Sequence, residues 1–413
     1  MKILFVSVAV PFPCTNGLTM RSWSVLQALA SQGHEIHLVA FGDREQLEAA
    51  ELRAACKTAT AVEHATESLS SGKQYLRRFL ALPSRLPFSV LRFRSDGMRK
   101  AIEVAVASSR PHAILCDTVF PAVNLPNTDI PIVLNTHNVE HLILSRFAEN
   151  EENWAAQAYA RLESLKLKGW ERTICGRSRS VMACSDVDGA ILAGLGAQGR
   201  VCVVPNTIDV HRYAGRPAEE EEKTVLFTGG MDWYPNRDAV QYFAERCLPR
   251  LRQMAPGVKF TVAGRDGSPE FKKQMERFPE VRFTGRVEDM RDEIARAAVC
   301  VVPLRIGSGT RLKILEAAAM SKAIVSTSVG AEGLEFENEK DILRADDPTQ
   351  FAELVASLLL DSRLRQKIGR AARLRVERQY SREALEISVS RALEWTGETV
   401  RIDLTANECE PVR

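Results

Sequence analysis

The residues best suited to chemistry lie in one stretch, PLRIGSGTRLKILEAAAM (303–320). A strand-like apolar run ends at Leu304, and Gly307, Ser308, Gly309 and Thr310 then form a small-residue loop ahead of a helix. The N–H groups of such a loop and helix start can hold a diphosphate. Arg311 and Lys313 bring two positive charges into the first turn. There they oppose the helix dipole by about a few tenths of a kcal/mol, an arrangement that makes sense when an anion sits against it. Glu316 follows Lys313 by three residues and Arg311 by five. Its carboxylate can accept both hydroxyls of a ribose, or it can form a surface i,i+3 ion pair with Lys313 worth about 0.2–0.5 kcal/mol.

Four other loops carry candidate groups. Asn16-Gly17 stands before a helix start, as an anion-accepting turn or a plain Asx turn. His137, in NTHNVEH (135–141), directly follows a buried strand. It can donate to an anionic or sugar oxygen, or serve the structure alone. VPNTIDVHRY (204–213) reads as a hinge turn or a ligand contact. In FTGGMDWYPNRD (227–238), Gly229 and Gly230 end a strand and Asn236 opens a helix. Trp233 and Tyr234 belong to the core or to a cleft wall.

These loops follow a regular series of elements. KILFVSVAV (2–10) is a strand apolar on both faces, and residues 18–31 carry Trp23, Val25, Leu26 and Leu29 at helical spacing up to Gly33. HEIHLVAF (34–41), HAILCD (112–117), IPIVLNTH (130–137), SVMACS (180–185) and VCVVPN (201–206) continue as strands. Residues 154–177 are a helix with Leu162, Leu165, Leu167 and Trp170 on its apolar side. The polar run AGRPAEEEEK (214–223) reads as a solvated linker. A second series follows: strands at 224–230, 259–264, 281–285, 298–304 and 323–327, with a helix near 236–254. A last helix at 378–398 can return to the first half. Alternation of this kind predicts α/β architecture with two doubly wound Rossmann-like domains facing across a cleft, and ligands beyond the carboxyl ends of the strands.

The chain has 413 residues, 55 Lys+Arg against 53 Asp+Glu, and 45% hydrophobic residues, which fits two soluble domains and excludes disorder. The net charge of +2 gives no global reason to expect nucleic acid. The cysteine count is odd at nine and no C-x-x-C pair occurs, so buried free thiols in a reducing compartment are expected. The N-terminal MKILFVSVAVPFP lacks a small-residue cleavage site, and no stretch is apolar enough to span a membrane, so the expected location is cytoplasmic, with the inner face of the cell membrane in view. That second thought comes from residues 73–100. There Lys73, Arg77, Arg78, Arg85 and Arg92 are interleaved with Tyr75, Phe79, Phe88 and Phe93 against the single acid Asp96. Such a segment can lie on an anionic membrane surface or be an ordinary solvated region.

GHEIHLV after the first helix, VPNTIDVHRY at the junction, VRFTGRVEDM, and above all GTRLKILEAAAMSKAIVSTSVGAEGL occur in an order and spacing that resembles the GT-B glycosyltransferases of the GT4-like (group 1) retaining family. The resemblance runs over roughly residues 1–395. It implies an acceptor-side domain at 1–210 with helix 378–398 packed back on it, a nucleotide-sugar domain at 211–377, and a tail at 399–413. It implies transfer of a sugar from a nucleoside-diphosphate sugar to a glycan or lipid-linked acceptor in envelope or exopolysaccharide synthesis, with retention. No metal and no cofactor beyond the donor itself are implied. The loop Asn16-Gly17 maps onto the family's donor-phosphate loop, His137 onto a donor-sugar contact, and Glu316 onto the second Glu of an E-x7-E motif that binds ribose. Arg311 and Lys313 then stabilise the leaving diphosphate, with Gly229, Gly230, Asn236 and the loop 307–310 around it. Two departures stand out: Ser308 occupies the place of the first Glu, and GGMDWYPNRD replaces the usual phosphate-binding Arg and Lys. A nucleotide-sugar 2-epimerase of the same fold, and an inactive nucleotide-sugar-binding partner protein, are the alternative functions.

Overall fold

In the computed structural model, residues 1–64, 77–197, 199–213 and 220–394 are described. Two parallel sheets organise them. The first contains β1 (Lys2–Ser7), β2 (Glu35–Phe41), β3 (Thr58–Val62), β4 (Ala113–Asp117), β5 (Ile132–Asn135), β6 (Ser180–Ala183) and β7 (Arg200–Val203), in the order β3-β2-β1-β4-β5-β6-β7. The second contains β8 (Glu221–Thr228), β9 (Lys259–Ala263), β10 (Val281–Gly285), β11 (Ala297–Val302), β12 (Ala323–Ser326) and β13 (Leu343–Arg344), in the order β10-β9-β8-β11-β12-β13. Each is a doubly wound sheet, whose order reverses beside its first strand, at β1/β4 and at β8/β11. The central strands are buried throughout because helices cover both faces, which is why their sequences are almost wholly apolar.

Three expectations are corrected. On the helix Trp154–Arg177, Leu162 and Leu165 face outward, at 39% and 70% exposure. The buried face holds Ala160, Glu163, Ser164, Leu167, Glu171 and Ile174 instead. These recur at i+3 and i+4, and the two acids are tolerated because they accept backbone N–H groups, Glu163 from Phe88 at 2.6 Å and Glu171 from Glu140 at 2.7 Å. Of the linker read at 214–223, residues 214–219 lie outside the described residues, and the acids that follow are not simply solvated. Glu220 binds Arg365 at 2.7 Å and Lys322 at 3.1 Å, and Glu221 already belongs to β8. The last helix is Arg382–Leu393, separated at Ser381 from the helix Ser362–Gln379, because the Ser381 hydroxyl caps a new start.

Each sheet has its own core. The larger cluster runs from Ile208 to Tyr380. The core around β1 takes residues from Ile3 to Val204 together with Leu385, Val389, Ala392 and Leu393 of the last helix. That helix lies on Gly17–Ser31, where Gln32 Nε2 donates to the Glu386 carbonyl at 2.7 Å. The tail 399–413, with Cys409, lies outside the described residues. The eight described cysteines are free, six of them buried. Among the described residues no helix is long and apolar enough to cross a membrane.

Candidate active site

The parallel register of the first sheet lines up Ser7, Asp117 and Asn135 at its carboxyl edge, on the adjacent strands β1, β4 and β5. Asp117 is fully buried and accepts four hydrogen bonds: from Ser7 Oγ (2.9 Å), Ser22 Oγ (2.6 Å), Asn135 Nδ2 (2.7 Å) and His137 Nε2 (2.7 Å). Burial alone would raise its pKa, but the His137 charge and the hydrogen bonds from His137, Ser22 and Ser7 outweigh it and hold the carboxyl below its ordinary value. Arg21 extends the network, donating to the Val204 carbonyl (2.9 Å), Asn206 Oδ1 (3.1 Å) and Asn135 Oδ1 (2.9 Å). His137 is thereby fixed through one ring nitrogen, leaving Nδ1 for a ligand.

In the second sheet the loops after β8 and β11 flank the switch point, and the long loop ends in the helix Leu312–Ala319. Lys313 Nζ donates to Asn236 Oδ1 at 3.0 Å and lies 3.8 Å from the centre of the Phe227 ring. Asn236 in turn donates to the Gly230 carbonyl at 2.9 Å. A Cβ on Gly229, where φ is +150°, would come within 2.7 Å of Asn236 Nδ2 and 3.1 Å of Lys313 Nζ, so a side chain there would fill the space those groups use. Arg311 is buried, and its guanidinium donates to the carbonyls of Ser308, Gly309 and, at 3.3 Å, Val329. The hydrogen-bond partners of both cations are therefore neutral. Burial lowers Arg311 to about 10, against the pull of Glu332 and Asp188. Burial, with Arg311 beside it, lowers Lys313 to about 7. Glu316 turns away from Lys313 and accepts from Tyr213 OH at 3.0 Å, so the plain ion pair does not form. Burial raises its pKa, opposed by that hydrogen bond and by Lys313.

The two edges meet. Ser308 is buried, its Oγ accepting from the Val139 N–H at 2.9 Å and donating to Asp188 Oδ1 at 3.3 Å. Thr310 Oγ1 accepts from Asn206 Nδ2 at 2.7 Å. Arg146 clamps Glu332 through two 2.6 Å contacts and also donates to the Gly307 carbonyl. Gly309, at φ +73°, sits so close that a Cβ would lie 2.7 Å from Asn138 Oδ1. A Cβ on Gly17 would be 3.4 Å from Leu312 Cδ1, which sets the first helix start of one domain against the cationic helix start of the other. Asn16 is the N-cap: its Oδ1 accepts from the Thr19 N–H at 3.0 Å, so its side chain serves the helix.

The loop 307–310 thus meets the loops of the first domain, with Asn16, Ser308 and Thr310 spending their side chains on local or inter-domain contacts. Asp117, Arg21, Asp188 and the Arg146–Glu332 pair were not singled out in the sequence. Only Asp117 left a signal there, as an acid ending an apolar strand.

Two Rossmann-type domains that meet through the loops at their strand ends define the GT-B class. Residues 15–212 match the family described as Glycosyltransferase Family 4, and residues 222–361 the one described as Glycosyl transferases group 1. The chain belongs to these GT4-like group 1 glycosyltransferases. Among its relatives is an uncharacterized 44.6 kDa protein in the cps region of Klebsiella pneumoniae, 23% identical over 85% of this chain and 89% of the relative. The fold is similar to that of sucrose-phosphate synthase from Thermosynechococcus elongatus, at a TM-score of 0.71 and 16% identity over 95% of this chain and 98% of the other. It is also similar to Anabaena HepE in complex with UDP and glucose, at a TM-score of 0.66 and 16% identity over 95% and 99% of the two chains.

Proposed function

We propose that the protein transfers a sugar, with retention, from a nucleoside-diphosphate sugar to a glycan or lipid-linked acceptor in envelope or exopolysaccharide synthesis. The observation that carries the donor site is the pair of cations, Arg311 buried and Lys313 half-buried, whose hydrogen-bond partners are neutral oxygens. Cations hydrogen-bonded only to neutral groups, with their carboxylates acting from further off, are under-compensated, and a diphosphate supplies charge in direct contact. Retention is carried over from the family. The relative in a cps region favours a polysaccharide product. The neighbour holding UDP and glucose makes UDP the first nucleotide to try.

In the reaction the bond between the anomeric carbon and a diphosphate oxygen breaks, a bond from the acceptor oxygen to that carbon forms on the same face, and the acceptor hydroxyl's proton passes to the departing diphosphate oxygen. Arg311, Lys313 and the N–H groups at the helix start stabilise the charge on the departing diphosphate, the part a metal ion plays in other enzymes. Metal-independent transfer at a cytoplasmic site is part of the proposal. Glu316 accepts the ribose hydroxyls, displacing Tyr213, and His137, held by Asp117, orients the sugar through Nδ1.

The test is thermal stability against UDP, GDP, ADP, CMP and NAD. A ligand at about 100 times its Kd adds about 2.7 kcal/mol to stability. A shift with one diphosphate, lost in Glu316→Ala, is expected. A response to NAD alone, or to none, overturns the donor site. Donor turnover without any acceptor would identify the epimerase instead, and binding without turnover the inactive partner.

A further inference from the structure

The helix Trp154–Arg177 has two apolar sides, and only one is covered. Ala155, Ala158, Leu162, Leu165 and Gly169 alternate at spacings of three and four, so they share one face. All five are exposed, and a Cβ on Gly169 would meet nothing within 4 Å. The neighbouring segment adds Phe79 and Leu80, exposed to 68% and 65%. It is held against the helix by Lys166 Nζ, which donates to the Leu82 carbonyl at 2.9 Å.

The exposed charges on the helix itself have one sign, although Glu149 and Glu152 stand exposed just before its start. The two acids of the helix, Glu163 and Glu171, are turned inward and buried, so its exposed charges are Arg161, Lys168, Arg172 and Arg177. Arg77 and Arg78 stand exposed beside Phe79. Long basic side chains of this kind lay their stems along apolar surface and raise their heads to the level of lipid phosphates. A second copy of the same face would set like charges against each other, whereas an anionic bilayer complements them.

We propose that the outer side of Trp154–Arg177, together with residues 77–82, rests on an anionic lipid bilayer. Of the basic segment 73–100 read from the sequence, residues 77–82 form one edge of this surface, while Lys73 and Tyr75 lie outside the described residues. The inner side of the same helix reaches the cleft: Glu171 holds the Glu140 N–H and, at 2.6 Å, His141 Nδ1. One helix therefore faces the membrane on one side and supports the site on the other. The inference rests on the surface and is independent of the acceptor assigned above.

The full-length protein is sedimented with vesicles of phosphatidylcholine alone and of phosphatidylcholine mixed with phosphatidylglycerol. Binding to the mixed vesicles only, weakening as salt is raised, is expected. Each basic residue near an anionic surface is worth about fivefold, so the combined Arg161→Gln, Lys168→Gln, Arg172→Gln variant loses on the order of a hundredfold. Leu162→Ser with Leu165→Ser lowers binding by roughly tenfold with an unchanged salt dependence. Both variants keep the wild-type melting temperature and nucleotide-induced shift, which separates loss of the bilayer from loss of the fold or the donor site. Equal binding to both vesicles, or none, overturns the inference. So does a concentration-dependent dimer that Leu162→Ser with Leu165→Ser abolishes, since a second copy would then cover the face.

Discussion

The two sides of the cleft solve opposite problems with buried charge. On the first domain, Asp117 is surrounded by four donors, and Arg21 by three acceptors. On the second, Arg311 is buried and Lys313 half-buried against carbonyls and an amide. The first arrangement satisfies Asp117 and gives rigidity to His137, although Arg21 Nε is buried without a hydrogen-bond partner. The second is incomplete and gains most when an anion arrives. A finished network holds geometry, and an unfinished one supplies binding energy.

Substitutions can break that contrast. Asp117→Ala leaves four buried donors facing a cavity, and a loss of about 3–5 kcal/mol in stability is expected, read from denaturant melts. Arg311→Ala should lower kcat/KM by roughly 10²–10³ with little loss of stability, so that a variant folded as the parent but slow would separate the two sides. A melt that fell as far as that of Asp117→Ala would erase the distinction.

Lys313 sharpens the comparison through pH. Its pKa is about 7 in the folded protein, well below the ordinary lysine value of 10.5. Between those limits the unfolded chain binds more protons, so this group makes stability rise with pH across that window. Donor affinity should run the other way, falling above about pH 7 as the ammonium loses its proton. Calorimetry at pH 8 in buffers of different ionisation enthalpy should show proton uptake on nucleoside-diphosphate binding. A donor Kd flat from pH 6 to 9 would remove Lys313 from the phosphate site. Lys313→Met should keep or raise the melting temperature while weakening donor binding, because a half-buried cation is replaced by an apolar chain of similar length.

The smallest effect is expected at Tyr213. Tyr213→Phe removes one hydrogen bond to Glu316, worth about 0.5–1.5 kcal/mol, that the ribose displaces, so donor binding should stay equal or tighten slightly, whereas Glu316→Ala weakens it. If the two were equal, the phenol rather than the carboxylate would be the ligand.

Much of this site could be read from the chain alone because its signals are local. Gly307 to Glu316 spans one loop and one helix start, and the strands before each loop are apolar runs bounded by glycine and proline. What escaped is long-range or two-sided. Ser7, Ser22, Asp117 and His137 are far apart in sequence and meet only through the register of parallel strands. The helix Trp154–Arg177 has leucines on both sides, and periodicity locates a stripe without saying which stripe faces the core. The buried side was decided by Glu163 and Glu171, whose value lies in the backbone groups they satisfy. Ser308 departs from the family's acid at a place where its hydroxyl meets Asp188, and a second carboxylate there would face the first.

The last helix carries one more consequence. The chain passes from the first core to the second near Ile208 and returns near Tyr380, and the Ile208 N–H donates to the Tyr380 carbonyl at 3.0 Å. The two halves are thus joined by a pair of straps tied to each other at one place. A double strap of this kind permits a swing about its own line and resists twisting and sliding. It also means that a gene cut between the halves would not yield two independent proteins. The amino-terminal piece would lack Leu385, Val389, Ala392 and Leu393, four side chains of its own interior that come after the whole second sheet in the chain.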